Sequence, residues 1–238
     1  MNTATVPAAN DAARACMASL VLSLADNKAA LARRYAEWAV SAPTLESAVA
    51  AAAMAQDEMG HARSTYPVLK GLGVEVGDEG LEGHGHRLQL LDDELPDWTA
   101  FIAANLLVDG VLTTFVAACA DSSIAPLAQR AKKILQEEGS HRVHAEAWGR
   151  RLAGGGDAQR EALRARLRET WEHASRWLGP DDDPAFAAAL QAGMVRRGPA
   201  EQRDQVRRWL VGLLGPDMVL DEPSDWSRWD PERRRWTP

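Results

Sequence analysis

Through the first two thirds of the chain, alanine, leucine and charged residues recur with a 3.6-residue period, and no β-branched or aromatic alternation interrupts them. The pattern predicts helices and no strand. A first helix is expected from about Asp11 to Val40, loosened near Asp26 and Asn27, and Pro43 ends it. Thr44 and Ser47 can cap a second helix over about Leu45 to Leu69. The segment Gly71 to Asp97 carries Gly71, Gly73, Gly77, Gly80, Gly83 and Gly85, so a helix is sustainable there only around His86 to Leu91. A third helix follows over about Trp98 to Asp121, and a fourth from about Ile124 to Leu152, where GGGD stops it. Beyond Gly154 come an amphipathic helix at Arg160 to Trp177, an apolar stretch at Pro184 to Val195 and a further helix at Glu201 to Leu214. The ending DEPSDWSRWDPERRRWTP is too rich in Pro, Asp and Arg to pack as a helix.

Two hairpins of long helices joined by one long crossover give an all-α chain wired as a ferritin-like four-helix bundle, with an up-down-down-up path. The bundle is expected over residues 1–178. Residues 179–238 form a helical extension and an irregular tail, packed on the bundle or on a partner subunit. Six of the nine tryptophans lie beyond residue 170, which calls for an apolar surface under that arm.

Composition narrows the function. With 238 residues, 46% hydrophobic and 26% charged, the chain is of folded globular type. Its longest charge-free stretch after Asp11 is Pro184 to Val195, short of the ~20 apolar residues of a bilayer span, so no membrane role is expected. The N-terminus lacks the charged, apolar and small-residue sequence of a secretory signal, which predicts a cytoplasmic protein. Cys16 and Cys119 each fall in a helical apolar pattern and read as buried thiols, not as a disulfide or a thiolate metal site. A net charge of -7 disfavours nucleic acid as a partner.

Two segments, AQDEMGHAR and LQEEGSHRVH, repeat one arrangement: Glu58 with His61 and Glu138 with His141. Residues three apart share a helix face, so each pair can present a carboxylate and an imidazole to one ion. Two such pairs, with one acid from each remaining helix, make the site of di-iron and di-manganese carboxylate proteins. Glu37, within YAEWAV, and Asp109, isolated among 22 otherwise uncharged positions, are the candidates for those acids. Asp109 would be costly to bury without a cation or a hydrogen-bond partner. Glu137 and His144 share a face with His141 and offer a second ligand set. The repeated spacing favours Glu138 and leaves Glu137 and His144 as supporting or surface groups. Thr113, four residues after Asp109, is placed either to hydrogen-bond oxygen species at the metals or simply to pack. Glu46 and Asp57 read as solvent-facing charges, and His84 and His86 as solvated loop histidines.

Four carboxylates and two imidazoles without a thiolate suit two iron ions, or manganese, better than zinc or copper. A ferrous pair can give two electrons to O2, and the chain has no flavin, nicotinamide or iron–sulfur motif, so a separate electron-donating reductase is implied.

The stretch LADNKAALARRYAEWAVSAPTLESAVAAAAMAQDEMGHAR resembles the first hairpin of the ferritin-like subunits of phenylacetyl-CoA epoxygenase. The stretch LLVDGVLTTFVAACADSSIAPLAQRAKKILQEEGSHRVHAEAWGRRLAGG is similar to the second, for about residues 20–175 in all. That family pairs a catalytic subunit holding the iron pair with a homologous structural subunit whose ligand set is incomplete. Around Glu37 and GGGD the sequence is similar to the structural subunit, while Glu58, His61, Asp109, Glu138 and His141 are of the catalytic kind. The resemblance implies a di-iron monooxygenase acting on an aromatic or acyl-thioester substrate, such as a CoA thioester, in a homo- or hetero-oligomer with a homologous subunit. The alternatives are the non-catalytic structural subunit of such a complex and a metal-storage or peroxide-reducing protein.

Overall fold

In a computed structural model, which describes residues 5–75 and 85–237, the helices follow the apolar period closely. Helix α1 spans Thr5–Trp38 and α2 spans Leu45–Thr65, with the Thr44 side chain accepting from the Ser47 amide at the α2 start. Pro67 then tightens the chain into a 3-10 turn at Tyr66–Leu72, where a continuing α-helix was expected. In the crossover, the helix expected near His86 is a single 3-10 turn at Gln89–Leu91. His84 lies outside the described residues.

Helix α3 runs over Trp98–Ala118 and α4 over Ala125–Ala153. α1 packs along α2, α3 along α4, and α2 against α4, as a ferritin-like bundle requires. α1 from Asn10 and α3 are long and apolar enough to cross a membrane, and 83% of each apolar window is buried inside the protein.

The expected loosening of α1 at Asp26 and Asn27 does not occur, because these polar side chains hold the crossover. Asp26 accepts from Tyr66 Oη at 2.7 Å and from the His86 amide at 2.7 Å. Asn27 Oδ1 accepts from the Leu88 amide at 2.9 Å, and Ser23 Oγ donates to His86 O. The helix stays intact while its side chains satisfy backbone groups of the crossover at His86 and Leu88.

The extension packs on the bundle's own helices. α5 (Asp157–Trp177) lies on α3, α6 (Pro184–Gln191) on α1, and α7 (Pro199–Leu214) across α3 and α4. One apolar core runs through the bundle and the extension, from Ala13 to Leu220. The tail forms one two-residue pairing, β1 (Trp229–Asp230) with β2 (Arg235–Trp236), where no strand was expected. Two buried arginines fix the end of α5. Arg234 donates to Trp177 O at 2.9 Å and Leu178 O at 2.6 Å, and Arg203 donates to Gly179 O at 2.9 Å. Gly179 is required there: its φ is +86, and a Cβ would lie 2.8 Å from Arg234 Nη2. Cys16 and Cys119 are buried free thiols.

Replacing Asn27 with Ala leaves the buried Leu88 amide without its acceptor. The variant is expected to lose about 1–3 kcal/mol in urea unfolding. Hydrogen exchange at Leu88 should quicken while the centre of α1 stays protected; loss of protection along α1 would mean that Asn27 supports the helix itself.

Candidate metal centre

The core-facing stripe of α1 consists of Met17, Leu20, Val21, Leu24, Lys28, Leu31 and Tyr35, none more than 1% exposed. Spacings of three and four keep all seven on one face, so the helix delivers a lysine into the middle of the bundle. There Lys28 Nζ donates to Glu138 Oε1 at 2.6 Å, Asp109 Oδ1 at 2.7 Å and Glu58 Oε1 at 2.9 Å. The lysine is completely buried, and the three acids come from α4, α3 and α2 in turn. The residue that the first helix brings to the cluster is thus Lys28, where the sequence pattern pointed to an acid. Its place in the 24, 28, 31, 35 stripe was the available signal.

Glu37 does not join the cluster. It lies nine residues beyond Lys28, about two and a half turns at 3.6 residues per turn, which puts it on the opposite side of α1. Its side chain is 36% exposed and pairs with Arg34 at 3.1 Å. The apolar residues around Glu37 in the sequence belong to other faces of the helix.

Both predicted histidines reach the cluster. His61 Nδ1 lies 3.3 Å from Glu138 and 3.5 Å from Glu58. His141 Nδ1 lies 3.2 Å from Asp109, and 3.4 Å from both Glu58 and Glu138. Their outer nitrogens cross between helices: His61 Nε2 meets Glu137 of α4 at 2.9 Å, and His141 Nε2 meets Asp57 of α2 at 3.3 Å. Each imidazole is therefore oriented by the acid that precedes the glutamate of the other helix. Glu137 thus supports His61, and Asp57, expected to face solvent, supports His141. One step before the cluster glutamates is a rotation of about 100° on the helix, which points these acids along the groove between α2 and α4.

α3 widens into a π-helical turn at Ala104–Asp109 as it passes the cluster. Asn105 Nδ2 donates to Asp109 Oδ2 at 3.4 Å, and Asn105 Oδ1 meets His144 Nδ1 at 3.2 Å. His144 touches no cluster carboxylate at ion-pair distance and sits edge-on to Trp98 and Phe101. Thr113 lines a cavity of about 310 Å3 that reaches Asp109 and Glu138 and is walled by Arg142 and by Trp209 of α7. Its hydroxyl has no hydrogen-bond partner.

The charged groups of the cluster act on one another at close range. Burial alone would push the Lys28 ammonium towards neutrality, but Asp109, Glu138 and Glu58 outweigh it and hold its pKa well above the ordinary value. Burial opposes charge on both imidazoles as well. Glu138 and Glu58 nevertheless raise His61 to about 9, and Asp109 and Glu58 raise His141 to about 11. Burial works to raise Asp109, yet Lys28 and His141 hold it far below the usual carboxylate range. Glu138 is raised, by burial and by the Asp109 charge. The Lys28 ammonium and the two imidazoles thus have their charged forms favoured by the acids around them.

Glu58, Asp109, Glu138 and His141 offer ligand atoms all within 4.8 Å of one another, close enough to hold a metal ion. A pair of ions is a different matter. One oxygen on each carboxylate already accepts from Lys28, the first helix supplies an ammonium where a fourth acid would be needed, and Glu37 faces away. In this arrangement the residues do not fit a dinuclear centre.

The sequence model of the phenylacetic acid catabolic protein family matches residues 1–238. Among curated relatives, the chain is 28% identical over 200 residues to the A subunit of the 1,2-phenylacetyl-CoA epoxidase of Escherichia coli (strain K12). That match covers 79% of this chain and 65% of the relative, just under two thirds of its length. The chain is 23% identical over 171 residues to the C subunit of the same enzyme, covering 70% of this chain and 69% of the relative.

Both imidazoles have raised pKa values, so the stability they contribute is complete below the ordinary value of 6.5 and is lost as pH rises through about 9 and about 11. Asp109 is depressed, so its contribution is present above the ordinary 3.8 and is lost as pH falls. Chemical denaturation should therefore show greatest stability between about pH 5 and 7, with a decline on the alkaline side that His61→Gln flattens. A curve still rising above that range would mean that the histidines are neutral in the fold.

Proposed function

The chain belongs to the phenylacetic acid catabolic protein family, and within it we propose that it is a supporting, non-oxygenase subunit of a multi-subunit epoxidase-like complex. The observation that carries this reading is Lys28, whose ammonium donates to Glu58, Asp109 and Glu138 from the first helix, the element from which a dinuclear site would need an acid. The relatives support the setting, since both are named as subunits of one epoxidase acting on phenylacetyl-CoA. In this reading a homologous partner subunit holds the iron pair and binds the CoA thioester, a reductase supplies that partner with electrons, and this chain stabilises the assembly.

A second reading, the di-iron oxygenase itself, is favoured by one feature: the cavity that opens onto Asp109 and Glu138 beside the unpartnered Thr113 hydroxyl. It requires Lys28 to leave the cluster.

Metal analysis separates the two. Protein made in iron-replete cells, purified without chelator and then incubated anaerobically with Fe(II), should retain well under one ion per chain and consume no oxygen after reduction. Close to two ions per chain together with oxygen uptake would establish the oxygenase reading. Co-expression with a family chain that has an acid at the position of Lys28 should yield a stable complex; two chains that never associate would contradict a supporting role.

A further inference from the structure

We infer that Lys28 is a built-in competitor for a divalent cation, and that removing its amine uncovers a mononuclear metal site formed by Glu58, Asp109, Glu138 and His141. The inference deepens the supporting-subunit reading, because it explains what keeps the cluster closed to metal.

The geometry is that of a cation already bound. Nζ lies 2.6, 2.7 and 2.9 Å from one oxygen of each of three carboxylates contributed by three different helices. Those three residues and the His141 imidazole offer ligand atoms within 4.8 Å of one another, as the donors around a single small ion would. An ammonium satisfies the acids with one charge and three N–H donors, whereas a divalent ion brings two charges to the same oxygens. A carboxylate oxygen committed to Nζ cannot also coordinate an ion placed at the same point, so the two cations exclude each other. Polar residues of α1 on either side of Lys28 cannot take over. Asp26 and Asn27 are committed to the crossover and Tyr66, Tyr35 carries a neutral hydroxyl, and Glu37 lies on the far side of the helix.

Oxygen donors dominate the set, with one or two imidazoles, which suits Mn(II), Fe(II) or Co(II). One ion is expected, not two, because the substitution removes a competitor without adding an acid. The orienting contacts stay in place when Lys28 is shortened: Asp57 holds His141, and Asn105 reaches Asp109.

The test uses the full-length chain as wild type, Lys28→Ala and Lys28→Gln, the last keeping a hydrogen-bond donor without the charge. Calorimetry and visible absorption with Co(II) should show one ion per chain in the two variants, bound at least about 100-fold more tightly than by wild type, a difference of about 2.7 kcal/mol. Co(II) should raise the melting temperature of the variants and leave that of wild type unchanged. Adding Asp109→Asn to Lys28→Ala should remove the tight site. A variant that folds only when Co(II) is present supports the inference as well.

Variants that take no Co(II) tightly, whether folded alone or refolded with the metal, overturn this inference and leave the supporting-subunit reading standing. Wild type binding Co(II) as tightly as the variants, with the Asp109→Asn change abolishing it, overturns that reading too.

Discussion

Three carboxylates cannot all stay charged in a dry helix bundle unless cations stand among them. Burying one ion costs several kcal/mol even after relaxation, and like charges at this spacing repel further. Glu58, Asp109 and Glu138 meet the condition with protons and nitrogen: Lys28 at the centre, His61 and His141 at the flanks. Much of the architecture follows from placing that one ammonium. α1 has to run unbroken past residue 28, so the polar residues just before it must find partners outside the helix. Ser23, Asp26 and Asn27 do so by binding the backbone at His86 and Leu88. The crossover is thereby fixed to the same turn of α1 that aims Lys28 inward.

The two flanking histidines are held in a crossed arrangement that mirrors the repeat in the sequence. Each turns one nitrogen to the buried acids and the other to a half-exposed acid on the opposite helix. Such pairs fix ring orientation in metal sites, and here they fix it around an ammonium. On the other side, α7 seats Trp209 close to Gly110, where a Cβ would stand 3.4 Å from the indole, and walls the cavity that reaches Asp109. The chain keeps the carboxylate and imidazole frame of such a bundle, with an ammonium at its centre.

Helices whose apolar period was uninterrupted were legible in the sequence to within a few residues. Glu58, His61, Asp109, Glu138 and His141 were legible because paired Glu-x-x-His spacings and an isolated acid in an apolar stretch seldom arise together on surface helices. Lys28 was not, since a lone lysine in an alanine-rich helix ordinarily extends its charge to water; only the burial of the whole stripe forces it inward. Glu37 misled for the converse reason: apolar neighbours in sequence surround a residue on every side of a helix, including the wet one. Asp57 and Glu137 took their roles from the crossing of α2 and α4, a tertiary fact. The same holds for Arg203 and Arg234, which in the sequence belong to a charged tail and in the fold close the end of α5.

The whole arrangement turns on Lys28 being a protonated ammonium held by three acids. Heteronuclear NMR of isotope-labelled protein observes it directly, with the signal assigned by its loss in Lys28→Gln. At neutral pH a slowly exchanging ammonium resonance is expected, distinct from those of the exposed Lys132 and Lys133, and unchanged in excess Zn(II). A Lys28 signal that exchanges as fast as those of the surface lysines, or that leaves its position when Zn(II) is added, would contradict that placement of the ammonium.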